Sequence, residues 1–126
     1  MKILIVDDFP TMRRIVKTLL RQSGYNNFLE ADDGAHGIEL LKSNSDVDFI
    51  ICDWNMPNIN GLEMLKTVRS QGSMREIPFL MVAAESEKDQ MLDAVKNGVS
   101  NFIIKPFTGA ALQEKLMKAF SVKRAS

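Results

Sequence analysis

The chain has 126 residues and a mass of 14.2 kDa, enough for one domain with a real core. Sixteen basic residues balance sixteen acidic ones, so the formal net charge of +0 lacks the cationic surplus that non-specific nucleic-acid binding needs. No apolar stretch reaches membrane-spanning length and no signal peptide precedes Met1–Val6, so a cytoplasmic protein without membrane or nucleic-acid partners is expected.

Ile3–Val6 is a short apolar run that reads as a first strand, and Asp7-Asp8 stands at its C-terminal end. A helix follows. Pro10 suits its first turn, Gly24 suits the position just past its end, and Met12, Ile15, Val16, Leu19 and Leu20 form one apolar stripe opposite Arg13, Arg14, Lys17 and Arg21. Asn27–Glu30 is a weaker strand, expected near a sheet edge. After the Asp32-Asp33-Gly34 turn, Ile38 and Leu41 mark a second helix, on which His36 is expected to face solvent.

Phe49–Cys52 reads as a central strand ending in Asp53. The only cysteine, Cys52, cannot form an internal disulfide and is expected to be a small buried hydrophobe. Leu62, Leu65 and Val68 mark a third helix from about Asn60-Gly61, and Phe79–Val82 is a fourth strand. A fourth helix is expected over roughly Lys88–Lys96 with Met91, Leu92 and Val95, ending at Asn97-Gly98. Phe102–Ile104 is the fifth strand, followed by Lys105-Pro106, and a last helix places Leu112, Leu116 and Ala119 on one side. Residues 1–120 then form a single domain, and 121–126 read as a polar tail. The methionines fall mostly on apolar stripes and read as core filling.

Strict alternation of strands and helices predicts right-handed βαβ units: an α/β fold with a doubly wound, five-stranded parallel sheet and helices on both faces, flavodoxin-like. In such a sheet the strand C-termini share one edge, where ligands bind. Asp7, Asp8, Asp53, Asn55 and Lys105 therefore converge. The turn Asp7-Asp8-Phe9-Pro10 has no glycines to cradle a nucleotide phosphate, and its carboxylates would repel one. It suits Mg²⁺, a hard cation that prefers oxygen ligands.

Taken alone, Asp7 and Asp8 also read as first-turn helix acids, and Lys105 as a snorkelling surface lysine. Asp53 shifts the balance, because a third carboxylate on the same edge is costly unless a cation compensates it. An ionised aspartate can attack an activated phosphoryl donor and become an acyl phosphate, with an ammonium neutralising the remaining charge. The following Pro106 allows a cis bond that would hold Lys105 over the sheet edge.

Asp7-Asp8, Asp53-Trp54-Asn55-Met56-Pro57 with Gly61, and Lys105-Pro106-Phe107 together resemble the receiver domains of two-component response regulators. The likeness covers Met1–Phe120 and is greatest to the stand-alone chemotaxis regulators. It implies that Asp53 accepts phosphate from a sensor histidine kinase. It further implies that Asp8, Asp53 and the Asn55 carbonyl bind Mg²⁺ directly, that Asp7 acts through water, and that Lys105 contacts the phosphoryl group. It implies a flagellar motor switch protein as output partner and a phosphatase as a further one. The chain would then be no enzyme in the usual sense, while promoting its own phosphorylation and dephosphorylation.

The chain departs from the family pattern at two positions. Ala83 stands where the family usually has Ser or Thr, losing a hydrogen bond to a charged acceptor that contributes roughly 1.5–3 kcal/mol. Phe102 stands where chemotaxis regulators usually carry Tyr. The implied output face includes Met91, Val95, Phe102, Ile104 and Lys115, with ordinary core packing as the competing reading for Met91 and Val95. Glu87 replaces a basic residue found in several relatives, and Trp54 is a lid or a packing residue at the pocket mouth.

Two alternatives remain beside a phosphorylation-dependent regulator. A phosphate sink or auxiliary receiver is favoured by Ala83. A Mg²⁺-dependent phosphohydrolase usually has an acidic residue two positions after its nucleophile, where this chain has Asn55.

Overall fold

Five parallel strands form one sheet in the order β2-β1-β3-β4-β5. They are β1 (Lys2–Val6), β2 (Asn27–Ala31), β3 (Phe49–Asp53), β4 (Phe79–Ala84) and β5 (Asn101–Lys105). The computed structural model describes the backbone of residues 1–125 and the side chains of residues 1–121. The expected α/β doubly wound architecture is present, with the weak strand β2 at an edge and β3 at the centre.

Alternation along each strand assigns its side chains to two cores. Leu4, Val6, Ile50, Cys52, Phe79 and Met81 meet α2 (Gly34–Ser43), α3 (Gly61–Ser70) and α4 (Met91–Lys96). Ile3, Ile5, Phe49, Ile51, Leu80 and Val82 meet α1 (Pro10–Gln22) and α5 (Gly109–Ala125) on the opposite face. Cys52 is fully buried and its thiol is held well above its ordinary pKa by burial, as expected of a structural cysteine. Among the methionines, Met56, Met64, Met74, Met81 and Met91 fill core space, whereas Met1 and Met117 are exposed. No helix among the described residues is long and apolar enough to cross a membrane.

Two sequence expectations are corrected. In α1 only Val16 and Leu20 are fully buried, Met12 and Leu19 are half-buried, and Ile15 is exposed. The contact with α5 narrows the apolar stripe, because Val16 and Leu20 pack with Leu112, Leu116 and Ala119. The helix expected over Lys88–Lys96 is divided: Glu85–Gln90 forms a 3-10 segment and only Met91–Lys96 is α-helical. Within it Met91 and Ala94 face the core, so Leu92 and Val95 turn outward. The last helix, α5, spans Gly109–Ala125, and Ser126 lies outside the described residues.

Candidate functional site

The strand register determines which residues meet at the C-terminal edge. Val6 is level with Cys52, Asp53 with Val82, and Ala84 with Lys105. Asp7, the next residue after Val6, therefore stands beside Asp53, while Lys105 reaches across the end of β4. Asp7, Asp8 and Asp53 each offer a carboxylate oxygen, and these oxygens lie within 4.8 Å of one another. Lys105 Nζ donates to Asp53 Oδ1 at 3.0 Å, and the Lys105–Pro106 peptide is cis.

Local bonds fix the first loop. The Phe9 amide donates to Asp7 Oδ1 at 2.9 Å, and the Arg13 guanidinium donates to the Asp7 carbonyl at 2.6 Å. Helical periodicity places Arg13 only on a solvated face; its anchoring of this loop depends on tertiary approach.

Burial sets the electrostatics. Asp53 is 3% exposed and Asp7 4%. Burial and the neighbouring Asp7 push the Asp53 carboxyl up to about 6, against the opposing pull of the Lys105 ammonium. Asp7 is also raised, mainly by burial, with the Phe9 hydrogen bond opposing. Asp8 Oδ1 is buried without a hydrogen-bond partner. Two raised carboxylates and an orphaned third oxygen fit a hard divalent cation, which would supply the missing charge and the missing ligand bond.

Asn55 is exposed in the loop after β3, and Trp54 is half-buried against the core, its amide donating to the Val82 carbonyl at 2.8 Å. Gly61 permits that loop to close. A Cβ there would meet the Asp53 carbonyl oxygen and Met81 Sδ at 2.6 Å and Trp54 Cα at 2.9 Å. Gly61→Ala is expected to cost about 3 kcal/mol, because two of these neighbours are backbone and cannot move aside; urea unfolding checks it.

The residues named for the output face are only partly assembled. Lys88, Asp89, Met91, Leu92, Val95 and Phe102 line a groove of about 310 Å³. Met91 is 1% exposed and forms its floor, so the apolar rim is Leu92 and Val95. Lys115 Nζ sits over the Phe102 ring, 5.6 Å from its centre. Ile104 instead lines a separate cavity with Pro106 and Phe107. His36 is exposed and its Nδ1 lies 3.0 Å from Asp32 Oδ1, as a solvent-facing residue should be.

Sequence reasoning missed the role of Glu87. Its Oε1 accepts from the Ala84 amide at 2.7 Å and caps the 3-10 segment. An acidic residue three positions beyond a strand end is the signal that could have revealed it.

The sequence profile of the response regulator receiver domain family matches residues 3–117. The chain belongs to that family. Within it the chain is of the CheY chemotaxis type. It is 52% identical over 120 residues to the chemotaxis protein CheY-3 of Vibrio cholerae, covering 95% of this chain and 92% of that protein. It is 48% identical over 120 residues to the chemotaxis protein CheY of Pseudomonas aeruginosa, covering 95% and 96%. The solved structure of Vibrio cholerae CheY4 superposes with a TM-score of 0.84 at 30% identity, covering 94% of this chain and 97% of that one. A putative response regulator from Chloroflexus aurantiacus gives a TM-score of 0.88 at 27% identity, covering 95% and 97%. Proteins of this type are signalling proteins rather than enzymes, and their receiver domains bind Mg²⁺ at an acidic pocket.

Proposed function

We propose that this chain is a chemotaxis response regulator that accepts a phosphoryl group on Asp53 from a sensor histidine kinase and then binds a flagellar motor switch protein through the α4–β5–α5 face. One observation carries the reading: three carboxylates converge within 4.8 Å, and the most central of them is paired with a lysine at 3.0 Å. An Asp53 carboxylate oxygen attacks phosphorus, and the donor's P–N bond breaks with its electron pair leaving on the imidazole nitrogen. The new P–O bond makes Asp53 an acyl phosphate. Lys105 holds the carboxylate oriented beforehand and pairs with the phosphoryl oxygens afterwards. Asp8, Asp53 and the Asn55 carbonyl would hold Mg²⁺, with Asp7 acting through water, and its charge would offset that of the phosphoryl oxygens. Hydrolysis of the acyl phosphate by water resets the chain, alone or with a phosphatase. The site of action is the cytoplasm.

The test is incubation with acetyl phosphate, with and without Mg²⁺, followed by intact mass. One Mg²⁺-dependent phosphoryl gain, absent from Asp53→Asn, is expected. No gain with any donor would leave a receiver fold acting as a constitutive binding module.

A phosphate sink is the second reading, and Ala83 favours it. This residue is fully buried at the end of β4, level with Ile104, and offers no hydroxyl to a phosphoryl group. Ala83→Ser is expected to tighten the apparent affinity for beryllofluoride about tenfold, read by Trp54 fluorescence. An unchanged affinity would mean that the missing hydroxyl does not weaken the switch. Many phosphates released per chain, rather than one gained, would instead indicate a phosphohydrolase; Asn55 in place of an acid opposes that outcome.

A further inference from the structure

The 3-10 segment Glu85–Gln90 connects the acidic site to the output groove. It begins two residues after Ala83, with Ala84 between them, and its last turn leads directly into Met91, the groove floor. Its N-terminus depends on a single side chain. The Glu87 carboxylate takes the Ala84 amide at 2.7 Å, whereas Ala84 has no side-chain oxygen to complete a reciprocal cap. Short 3-10 stretches have poorer hydrogen-bond geometry than α-helix and often mark hinges. Glu87 is half-buried, faces the same sheet edge as Asp53, and adds to the negative field that Asp53 experiences.

Those placements make Glu87 responsive to charge. A phosphoryl group carries about −1.5 to −2 charge at neutral pH, more than the single charge of the carboxylate it modifies. Like charges repel more strongly at the edge of a buried site than in water. Ala83 offers no hydroxyl to a phosphoryl group, whereas repulsion of the Glu87 carboxylate acts directly on the bond that caps this turn.

We propose that Glu87 is the positioning residue that couples the site to the groove: negative charge added at Asp53 expels its carboxylate from the Ala84 amide, opening the 3-10 segment and releasing the Met91 end of α4. The coupling rests on Asp53 being the phosphoacceptor. It replaces attraction by a hydroxyl with repulsion of a cap. The freed Ala84 amide then becomes available to the phosphoryl oxygens.

The test compares wild type with Glu87→Gln, which keeps an acceptor oxygen for the Ala84 amide and removes the charge. Each is treated with acetyl phosphate and Mg²⁺, its mass is recorded, and hydrogen–deuterium exchange is followed over residues 84–91. In wild type, phosphoryl gain is expected to speed exchange of this segment about tenfold. In Glu87→Gln the same gain should leave exchange unchanged. Phosphorylation by this anionic donor should also run about threefold faster in the variant, because one repelling charge is gone. A purely structural cap would predict equal responses and equal rates in the two proteins. Phosphoryl gain without faster exchange in wild type, or an equal increase in both, would overturn the coupling and leave the phosphoacceptor reading intact. Absence of any gain would remove both.

Discussion

Lys105→Met is expected to slow phosphoryl gain from acetyl phosphate about 100-fold while tightening Mg²⁺ binding about fivefold. The opposite signs follow from one charge. In the unmodified chain the Lys105 ammonium, 3.0 Å from Asp53 Oδ1, is the nearest compensation for a carboxylate that is 3% exposed. Its removal leaves Asp7, Asp8 and Asp53 with more uncompensated negative charge, which favours a divalent cation. The same removal takes away a fixed cation from where charge develops during transfer, and losses of single preorganised groups of this kind typically reach 10²–10³-fold. Methionine keeps the apolar stem, so packing beside Pro106 is preserved. Mg²⁺ titration by Trp54 fluorescence and a mass time course supply the two readouts. If both affinity and rate fell together, Lys105 would be only a structural support for the acidic cluster.

The second large effect concerns stability without divalent cations. Asp53 has an ordinary carboxyl value of 3.8 when unfolded and about 6 when folded. A raised carboxyl pKa means that the folded state binds the extra proton, so this group's cost is absent below the unfolded value. The cost grows as pH rises from about 4 to about 6 and is constant above. At 1.36 kcal/mol per unit the shift corresponds to at most about 3 kcal/mol. Asp53→Asn removes that cost but leaves Lys105 without its partner. In EDTA at about pH 7.5 the variant should therefore be about 1–2 kcal/mol more stable in urea than the parent. At about pH 4.5 the gain should largely vanish, and saturating Mg²⁺ should reverse its sign by stabilising only the parent. A stability difference independent of both pH and Mg²⁺ would show that Asp53 is not under electrostatic strain.

The site was legible because its chemistry lies at strand ends. β3 is buried on both faces, so an Asp after Phe49–Cys52 has no solvated face to turn to, and apolar continuity alone marks it as unusual. Asp7-Asp8 and Lys105 gain meaning only when right-handed crossovers bring the same ends of β1, β3 and β5 to one edge, a rule that sequence patterns can invoke. Helix faces were less legible. Met91, Leu92 and Val95 are all apolar, and nothing in their spacing says which two will turn out. The 3-10 segment before them sets the phase of α4, and that segment is capped by a hydrogen bond from the end of a strand.

By itself the sequence determined the fold class, the alternation of strands and helices and the acidic edge with its lysine, because each depends on residue type and on local periodicity; the missing hydroxyl at Ala83 is read against the family resemblance. Tertiary structure alone decided the 4.8 Å convergence, the raised carboxyls of Asp7 and Asp53, the outward turn of Ile15, Leu92 and Val95, and the anchoring roles of Arg13 and Glu87. Distances, burial and electric fields arise between elements remote in sequence, and no local pattern encodes them.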